Sequence, residues 1–147
     1  MTRSRIVVVT GPPCAGKSTH VRRHATPDDV VVDLDELARA LGHPESHVDP
    51  LAPPTPAADL ARSLRADLIR RATAGALARR GTVWIVDARP SPTSLAIYRR
   101  VGAVVVALDA PPAELRRRAV EAGRPEWTLD RIAAWDQPTP PAASVFR

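Results

Sequence analysis

Short apolar runs rich in β-branched residues recur along the chain, and segments with helical periodicity separate them. Four such runs stand out, at residues 5–10, 30–33, 83–87 and 103–109. None of them alternates cleanly between apolar and polar residues, which is typical of strands buried on both faces of a parallel sheet. Because right-handed crossovers connect parallel strands, we predict a doubly wound α/β fold with about four to five strands flanked by helices.

The segments between the runs predict the helices. Their expected bounds are 17–25, 34–41, 57–80, 92–100 (a short helix or an irregular crossover), 111–122 and 129–135. The longest helix is expected to end at Gly81, and prolines and Gly123 are expected to bound the fifth. One face of the longest helix would carry Leu60, Leu64, Leu68, Ala72 and Leu77.

Two stretches lack this periodicity. Residues 42–56 carry five of the 16 prolines, which predicts an exposed, semi-rigid loop. Residues 137–147 are also rich in proline and predict a loosely docked tail. We therefore expect one domain over residues 1–136, followed by a tail over 137–147.

Residues 11–18 fit the phosphate-loop pattern G-x-x-x-x-G-K-[ST], and they stand between a predicted strand and a predicted helix, as that motif requires. Backbone amides of the loop and of the helix N-terminus would converge on phosphate oxygens. Lys17 would reach the β- and γ-phosphates, Ser18 would ligate Mg²⁺, and Thr19 would contact the α-phosphate region. The expected ligands are Mg²⁺ and ATP, with GTP as the alternative. The predicted nucleotide-binding residues are Gly11, Cys14, Ala15, Gly16, Lys17, Ser18 and Thr19.

The composition narrows the class of protein further. Lys17 is the only lysine beside 20 arginines, which suggests that a thin ammonium-bearing stem is needed there. The net charge of +5 suits a nucleotide or nucleic-acid partner, although genome base composition alone also produces such a balance. The single cysteine, Cys14, excludes an intrachain disulfide and fits a cytoplasmic protein; we interpret it as a small filler rather than a redox-sensitive thiol. No apolar run is long enough to predict a membrane span.

Carboxylates follow the second and third predicted strands, and ligands of open α/β sheets bind at the carboxyl ends of strands. Asp87 reads as a Walker B-type residue that helps to hold Mg²⁺. Asp35 is the favoured base for an acceptor hydroxyl, and Asp33 the metal-side or structural residue, although the order could be reversed and one of the two could cap a helix. Asp109 is expected to cap the helix that follows it.

Arginines near the end of the fifth predicted helix would form a short lid over the triphosphate. Because residues 116–118 span less than one turn, only one or two of them can face the same side. Arg118 and Arg124 are the predicted catalytic pair, which would offset charge on the transferring phosphoryl group; the alternative is a solvated basic face. Arg89 either binds an acceptor phosphate, pairs with Asp35 or is an ordinary surface arginine.

Other patterns are weaker. The pairs His20/His24 and His43/His47 have a four-residue spacing but lack a cluster of further ligands, so we expect no metal there. Trp84 is expected in the core. Trp127 and Trp135 are expected to pack at the edge of the core rather than to stack on a base.

The phosphate loop, the Asp33–Asp35 segment, the Asp87–Arg89 segment and the 115–125 run together resemble the small P-loop kinases of the polynucleotide kinase and zeta-toxin-like group, with AAA-type ATP binding. The resemblance spans residues 5 to about 135. It implies that Lys17 and Ser18 bind ATP and Mg²⁺, that Asp35 is the general base and that Arg118 and Arg124 belong to the lid. The loop over 42–56 has no counterpart in that pattern.

Three classes of function follow from these observations. The leading hypothesis is phosphoryl transfer from ATP to a hydroxyl, with acceptors ranked from a nucleic-acid end (DNA or RNA) or modified base, through a nucleoside or nucleotide, to a small metabolite or antibiotic. The second is a regulatory nucleotide-binding ATPase. The third is a nucleic-acid-binding protein with a vestigial loop. We predict no membrane partner, and the oligomeric state stays open.

Overall fold

The structure is a computed structural model that describes residues 4–77 and 80–135. The predicted tail over 137–147 lies outside the described residues. The strands are β1 (Arg5–Thr10), β2 (Val30–Val32), β3 (Thr82–Val86) and β4 (Val104–Ala107). The helices are α1 (Lys17–His24), α2 (Leu34–Ala40), α3 (Pro56–Thr73), α4 (Pro92–Arg100), α5 (Pro112–Glu121) and α6 (Glu126–Trp135).

The four strands form one parallel sheet in the order β2-β3-β1-β4. Val8, in the middle of β1, pairs with Ile85 of β3 on one side and with Val105 of β4 on the other. All carboxyl ends therefore meet at one edge of the sheet. The phosphate loop follows β1 at that edge, so the α/β fold predicted from the sequence is confirmed.

Helices cover both faces of the sheet. Ile6 and Val8 of β1 pack into one apolar cluster with Tyr98 of α4 and with α3, whereas Val7 and Val9 face the opposite side with Val21 of α1. Each of these valines is at most 3% exposed. The alternation of a strand thus places successive β1 residues in two separate cores, which is why the sequence of β1 shows no polar face.

The prediction that every strand is buried on both faces is wrong for the two edge strands. Val31 of β2 is 41% exposed, and Val104 and Val105 of β4 are 42% and 41% exposed. Runs of valine serve both central and edge strands, so periodicity alone did not distinguish them.

Helix α3 is shorter than predicted. It ends at Thr73 rather than near Arg80, because Gly75 adopts a positive φ of 75° and turns the chain. The amide of Ala76 donates to the carbonyl of Arg71 at 2.8 Å, the bond that closes a Schellman motif. The stop signal is therefore Gly75 and not Gly81.

The predicted apolar face of α3 is also partly wrong. Leu60 and Leu64 are 61% and 39% exposed, whereas Ala58 and Ala61 are almost completely buried. These alanines pack with Ala38 of α2 in an apolar cluster. Small side chains let the two helix backbones approach closely, so the face with less apolar surface is the buried one.

The end of α5 agrees with the prediction, but its beginning does not. Gly123 has a φ of 61°, and the amide of Arg124 donates to the carbonyl of Ala119 at 2.9 Å, so a glycine turn ends the helix. The N-cap is Pro111 and not Asp109, whose carboxylate accepts from the neighbouring amide of Ala110. Helix α6 begins at Glu126, three residues earlier than predicted.

Candidate nucleotide and acceptor site

The phosphate loop turns sharply between β1 and α1, and two glycines allow it. Gly11 has a φ of 140°, and a Cβ there would lie 2.2 Å from the carbonyl oxygen of Leu108. Gly16, the N-cap of α1, has a φ of 92°. The first amides of a helix lack intrahelical partners, so the amides at the start of α1 are available to phosphate oxygens. The amide of Ala15 instead donates within the loop, to the carbonyl of Pro12 at 3.3 Å.

Lys17 closes this loop from within. Its Nζ donates to the carbonyl oxygens of Gly11 at 2.8 Å and Pro12 at 2.7 Å. Burial, reinforced by the positive charge of Arg124, lowers the pKa of Lys17 to about 8. The ammonium group of Lys17 is thus held by the loop carbonyls and is poorly solvated. A phosphate oxygen stabilises a poorly solvated ammonium group more than a solvated one.

We expect ATP affinity to fall as the pH rises above 8. Bound phosphates favour the ammonium form, so the pKa of Lys17 in the complex is higher than in the free protein. Affinity is therefore full below pH 8 and is lost as the pH rises towards the pKa of the complex. Calorimetry should give binding about tenfold weaker at about pH 9 than at about pH 7.5, with uptake of nearly one proton at the higher pH.

Cys14→Ser is the matched control for this titration, because Cys14 is an ionisable neighbour of Lys17. The variant should still lose ATP affinity as the pH rises, because burial and Arg124, and not Cys14, lower the pKa of Lys17. An affinity that stays constant from about pH 7.5 to about pH 9.5 would contradict the link to Lys17.

Ser18 and Asp33 form the second element of the site. The hydroxyl of Ser18 donates to Oδ2 of Asp33 at 2.7 Å, and Asp33 is 5% exposed. The other carboxylate oxygen of Asp33 accepts from the amide of Asp35 and caps α2. A hydroxyl and a carboxylate oxygen are hard donors that suit Mg²⁺, which takes few protein ligands and completes its shell with phosphates and water. The residues present therefore fit the predicted ion.

Asp87 lies at the carboxyl end of β3, but its side chain is held by other groups. The hydroxyl of Tyr98 donates to one carboxylate oxygen at 3.1 Å, and Arg65 lies 3.5 Å from the other. Arg65 also donates to the carbonyl of Val86 at 3.1 Å. Asp87 does not line the cleft described below, and its predicted metal role stays a prediction.

We expect Tyr98→Phe to destabilise the protein by about 1–2 kcal/mol, because it removes a hydrogen bond to a largely buried carboxylate. Tyr98 is 1% exposed, and the shared ring keeps its packing in the variant. Burial raises the pKa of Tyr98, and the charge of Asp87 adds to this, so the hydroxyl remains a donor at neutral pH. Urea denaturation would measure the difference, and an unchanged free energy of unfolding would refute the role of this contact.

Asp35 lies at the start of α2 and is bound by the proline-rich loop. Nδ1 of His47 lies 2.9 Å from Oδ2 of Asp35, and the amide of Val48 donates to Oδ1 at 2.9 Å. Burial acts to raise the pKa of Asp35, but the hydrogen bonds from His47 and Val48 outweigh it and lower the pKa below its usual value. Asp35 is therefore a carboxylate at neutral pH.

Arginines from the end of α5 reach the loop, and they differ in orientation. Nη1 of Arg118 donates to the carbonyl of Cys14 at 3.2 Å. Its Nε also pairs with Glu114, which Arg117 contacts as well, but Arg117 makes its second ion pair with Glu121 and does not line the cleft. Nε of Arg124 is buried and has no hydrogen-bond partner in the described part of the chain. Of the run 116–118, only Arg118 thus reaches the loop, in keeping with the helical spacing.

A cleft of about 780 Å³ joins these groups. It is lined, among others, by Lys17, Ser18, Asp33, Asp35, Arg118 and Arg124. A second cavity of about 420 Å³ lies between the proline-rich loop, α3 and the start of α6, with Trp127 in its wall. Six of the side chains predicted from the sequence therefore line one cleft, whereas Asp87 and Arg89 do not, and a smaller cavity lies near it.

Arg89 lies away from the cleft. Its guanidinium group lies 4.1 Å from the centre of the Trp135 ring, and Nη2 donates to the carbonyl of Trp135 at 2.9 Å. Trp84 is 9% exposed, as predicted for a core residue. The acceptor role of Arg89 stays a prediction. Trp135, the last residue of α6, packs against Arg89.

Sequence reasoning missed the part played by the loop over residues 42–56. It was expected to be simply exposed, yet Val48 is 9% exposed and packs among the alanines of α2 and α3. Within residues 4–77 and 80–135, no group of three or more His, Cys, Asp or Glu residues could hold a metal ion. The one sequence signal for the packing of this loop was Val48, an isolated valine in a proline-rich run.

The fold and the phosphate loop together define a small P-loop protein with the architecture of a kinase. A family model described as an AAA domain (AAA_33) matches residues 6–136, and the chain belongs to this family. The predicted relation to the small P-loop kinases is thereby confirmed at the level of the group.

Solved structures support the fold. The tunicamycin resistance protein of Deinococcus radiodurans superposes with a TM-score of 0.51 at 20% identity, over 89% of this chain and 79% of that chain. A search of curated proteins finds no match. None of the helices in the described ranges is long and apolar enough to cross a membrane.

Proposed function

We propose that the protein is an ATP-dependent kinase that transfers the γ-phosphoryl group to a hydroxyl group of an acceptor. The observation that carries this proposal is the shared cleft, which brings the ammonium of Lys17, the Ser18–Asp33 pair and the Asp35 carboxylate together with two arginines. A nucleotide-binding switch needs the first two of these groups. A carboxylate and arginines in the same cleft are what phosphoryl transfer to a hydroxyl requires in addition.

The roles follow from charge and position. The amides at the start of α1 and Lys17 bind the β- and γ-phosphates, and Ser18 and Asp33 hold Mg²⁺, with Asp87 as a more distant contributor at the end of β3. Mg²⁺ bound there neutralises phosphate charge. Arg118 and Arg124 offset the charge that develops on the transferring group, and the Asp35 carboxylate lies in the same cleft to support activation of the acceptor hydroxyl.

The second cavity supports a small acceptor. Its volume of about 420 Å³ lies in the range of sites that take small molecules, and prolines with Trp127 give it apolar walls. A hydroxyl compound of nucleoside size fits this description. The similar fold of the Deinococcus radiodurans tunicamycin resistance protein adds an antibiotic to the acceptors worth testing.

A nucleic-acid end is the second candidate, and the charge on α1 favours it. Arg22 and Arg23 are exposed and line the rim of the phosphate-loop cleft. A 5′-hydroxyl nucleotide entering the cavity could leave its following phosphates beside these arginines. The salt dependence of transfer would then be steep, whereas transfer to an uncharged small molecule would respond weakly to salt.

A screen for transfer of labelled γ-phosphate tests the proposal. The acceptors are 5′-hydroxyl DNA and RNA, DNA with hydroxymethylated bases, nucleosides, hydroxyl-bearing antibiotics including tunicamycin, and a metabolite panel. We expect a phosphorylated product from at least one class, dependent on Mg²⁺ and absent in Lys17→Ala. If the protein hydrolyses ATP but phosphorylates no acceptor in this panel, the kinase proposal is refuted and a regulatory ATPase is favoured.

A further inference from the structure

His47 lies where the two cavities meet. Of the described residues, it alone lines both the phosphate-loop cleft and the second cavity. A group at this junction can face the γ-phosphate on one side and an acceptor on the other. Asp35 lines the cleft but not the second cavity.

The contact with Asp35 defines the proton on the His47 ring. Nδ1 of His47 lies 2.9 Å from Oδ2 of Asp35. An ionised carboxylate only accepts hydrogen bonds, so Nδ1 must carry the proton. In the neutral ring, Nε2 is then an unprotonated nitrogen with a free lone pair, on the side of the ring away from Asp35.

Asp35 itself is occupied by the proline-rich loop. Oδ1 accepts from the amide of Val48 and Oδ2 from His47, both at 2.9 Å. Both carboxylate oxygens of Asp35 are thus engaged by donors from the proline-rich loop. Among the described residues, Nε2 of His47 has no hydrogen-bond partner, and His47 lines both cavities.

We propose that His47 is the general base of this kinase and that Asp35 is its positioning residue, an inference that rests on the proposed function. Nε2 of His47 takes the proton of the acceptor hydroxyl. The acceptor oxygen forms a bond to the γ-phosphorus while the bond from that phosphorus to the β–γ bridging oxygen breaks, which releases ADP. The Asp35 carboxylate stabilises the imidazolium ion, which afterwards returns its proton to solvent.

Kinetics of a conservative variant test the assignment. In His47→Asn the amide can still donate to Asp35, but it cannot accept a full proton. With the acceptor identified by the labelled-phosphate screen, we expect kcat to fall by about 10²–10⁴-fold while ATP affinity stays within about threefold of wild type. His47→Ala should regain at least about tenfold in kcat when imidazole is added, which a purely structural loss would not do.

A second pair of variants tests the part played by Asp35. Asp35→Asn keeps the shape of the side chain but no longer enforces the Nδ1–H tautomer, so kcat should fall by at least about 10²-fold. Glu36→Gln removes a charge from the next, exposed residue of α2 and should leave kcat unchanged. Nitrogen-15 NMR of the His47 ring, which needs no acceptor, should show a protonated Nδ1 in the wild type.

The outcomes separate the two proposals. If the wild type transfers phosphate and His47→Asn keeps kcat within a few-fold without any rescue of His47→Ala, the kinase stands and the base assignment is overturned. A ring protonated at Nε2 would overturn it as well. If the wild type phosphorylates no acceptor in the screen, the kinase proposal fails and the base assignment fails with it.

Discussion

Lys17→Ala is expected to lower the rate of phosphoryl transfer by at least about 10³-fold, a loss of about 4 kcal/mol of transition-state stabilisation. Lys17 is the only lysine of the chain, and its ammonium group is the cation held between two loop carbonyls. No neighbouring arginine can replace it, because a planar guanidinium group is wider than the stem that the loop encloses. Lys17→Arg should therefore stay far below wild type.

Steady-state kinetics and calorimetry with ATP would measure the effect of Lys17→Ala. Arg39→Ala is a matched control, since it also removes one positive charge but from an exposed position on α2. Circular dichroism should show that both variants fold. Transfer by Lys17→Ala at more than about a tenth of the wild-type rate would contradict the role given to the loop.

The second large effect is expected at the arginines of α5 and its end. Arg118→Ala and Arg124→Ala should each lower kcat by about 10²–10³-fold, because each removes a cation that we propose to offset charge on the transferring group. Arg124→Ala should do so without loss of stability, since Nε of Arg124 is buried without a partner in the described ranges of the free protein. Thermal denaturation and transfer kinetics on the same preparations would separate the two properties.

Arg117→Ala is the control that the helix itself offers. Arg117 is adjacent to Arg118 in sequence and shares Glu114 with it, but it does not line the cleft and pairs also with Glu121. Its loss should leave kcat within about twofold of wild type. Equal losses of kcat in Arg117→Ala and Arg118→Ala would mean that general positive charge, and not a directed side chain, is responsible.

Local signals predicted most of the fold. The strands could be located because valine-rich runs resist helix formation and bury well, and the phosphate loop because its glycines and Lys17 are adjacent in sequence. The turn after α5 could be predicted because a glycine, Gly123, directly follows the helical pattern. Errors arose where two stop signals competed, as at Gly75 and Gly81, or where small residues rather than leucines formed the buried face of α3.

Long-range contacts could not be predicted from those local signals. His47 contacts Asp35 although the two are 12 positions apart in sequence, and Arg65 contacts the carbonyl of Val86 at the end of β3 over a separation of 21 positions. Neither spacing has a period or a motif, because the contacts depend on how separate elements pack. Sequence patterns therefore indicated which carboxylates follow the strands. They did not indicate which cations and hydrogen-bond donors contact each carboxylate.

The pair of carbonyl oxygens that Lys17 contacts has a consequence for the speed of ligand capture. In the free protein those oxygens hold the ammonium group of Lys17 against the loop, so the loop is ordered before any nucleotide enters. Association then exchanges partners around one nitrogen and orders little backbone, which keeps the entropic cost of binding small. Capture of nucleotide should accordingly be fast, and its rate should depend on diffusion and charge steering rather than on refolding of the chain.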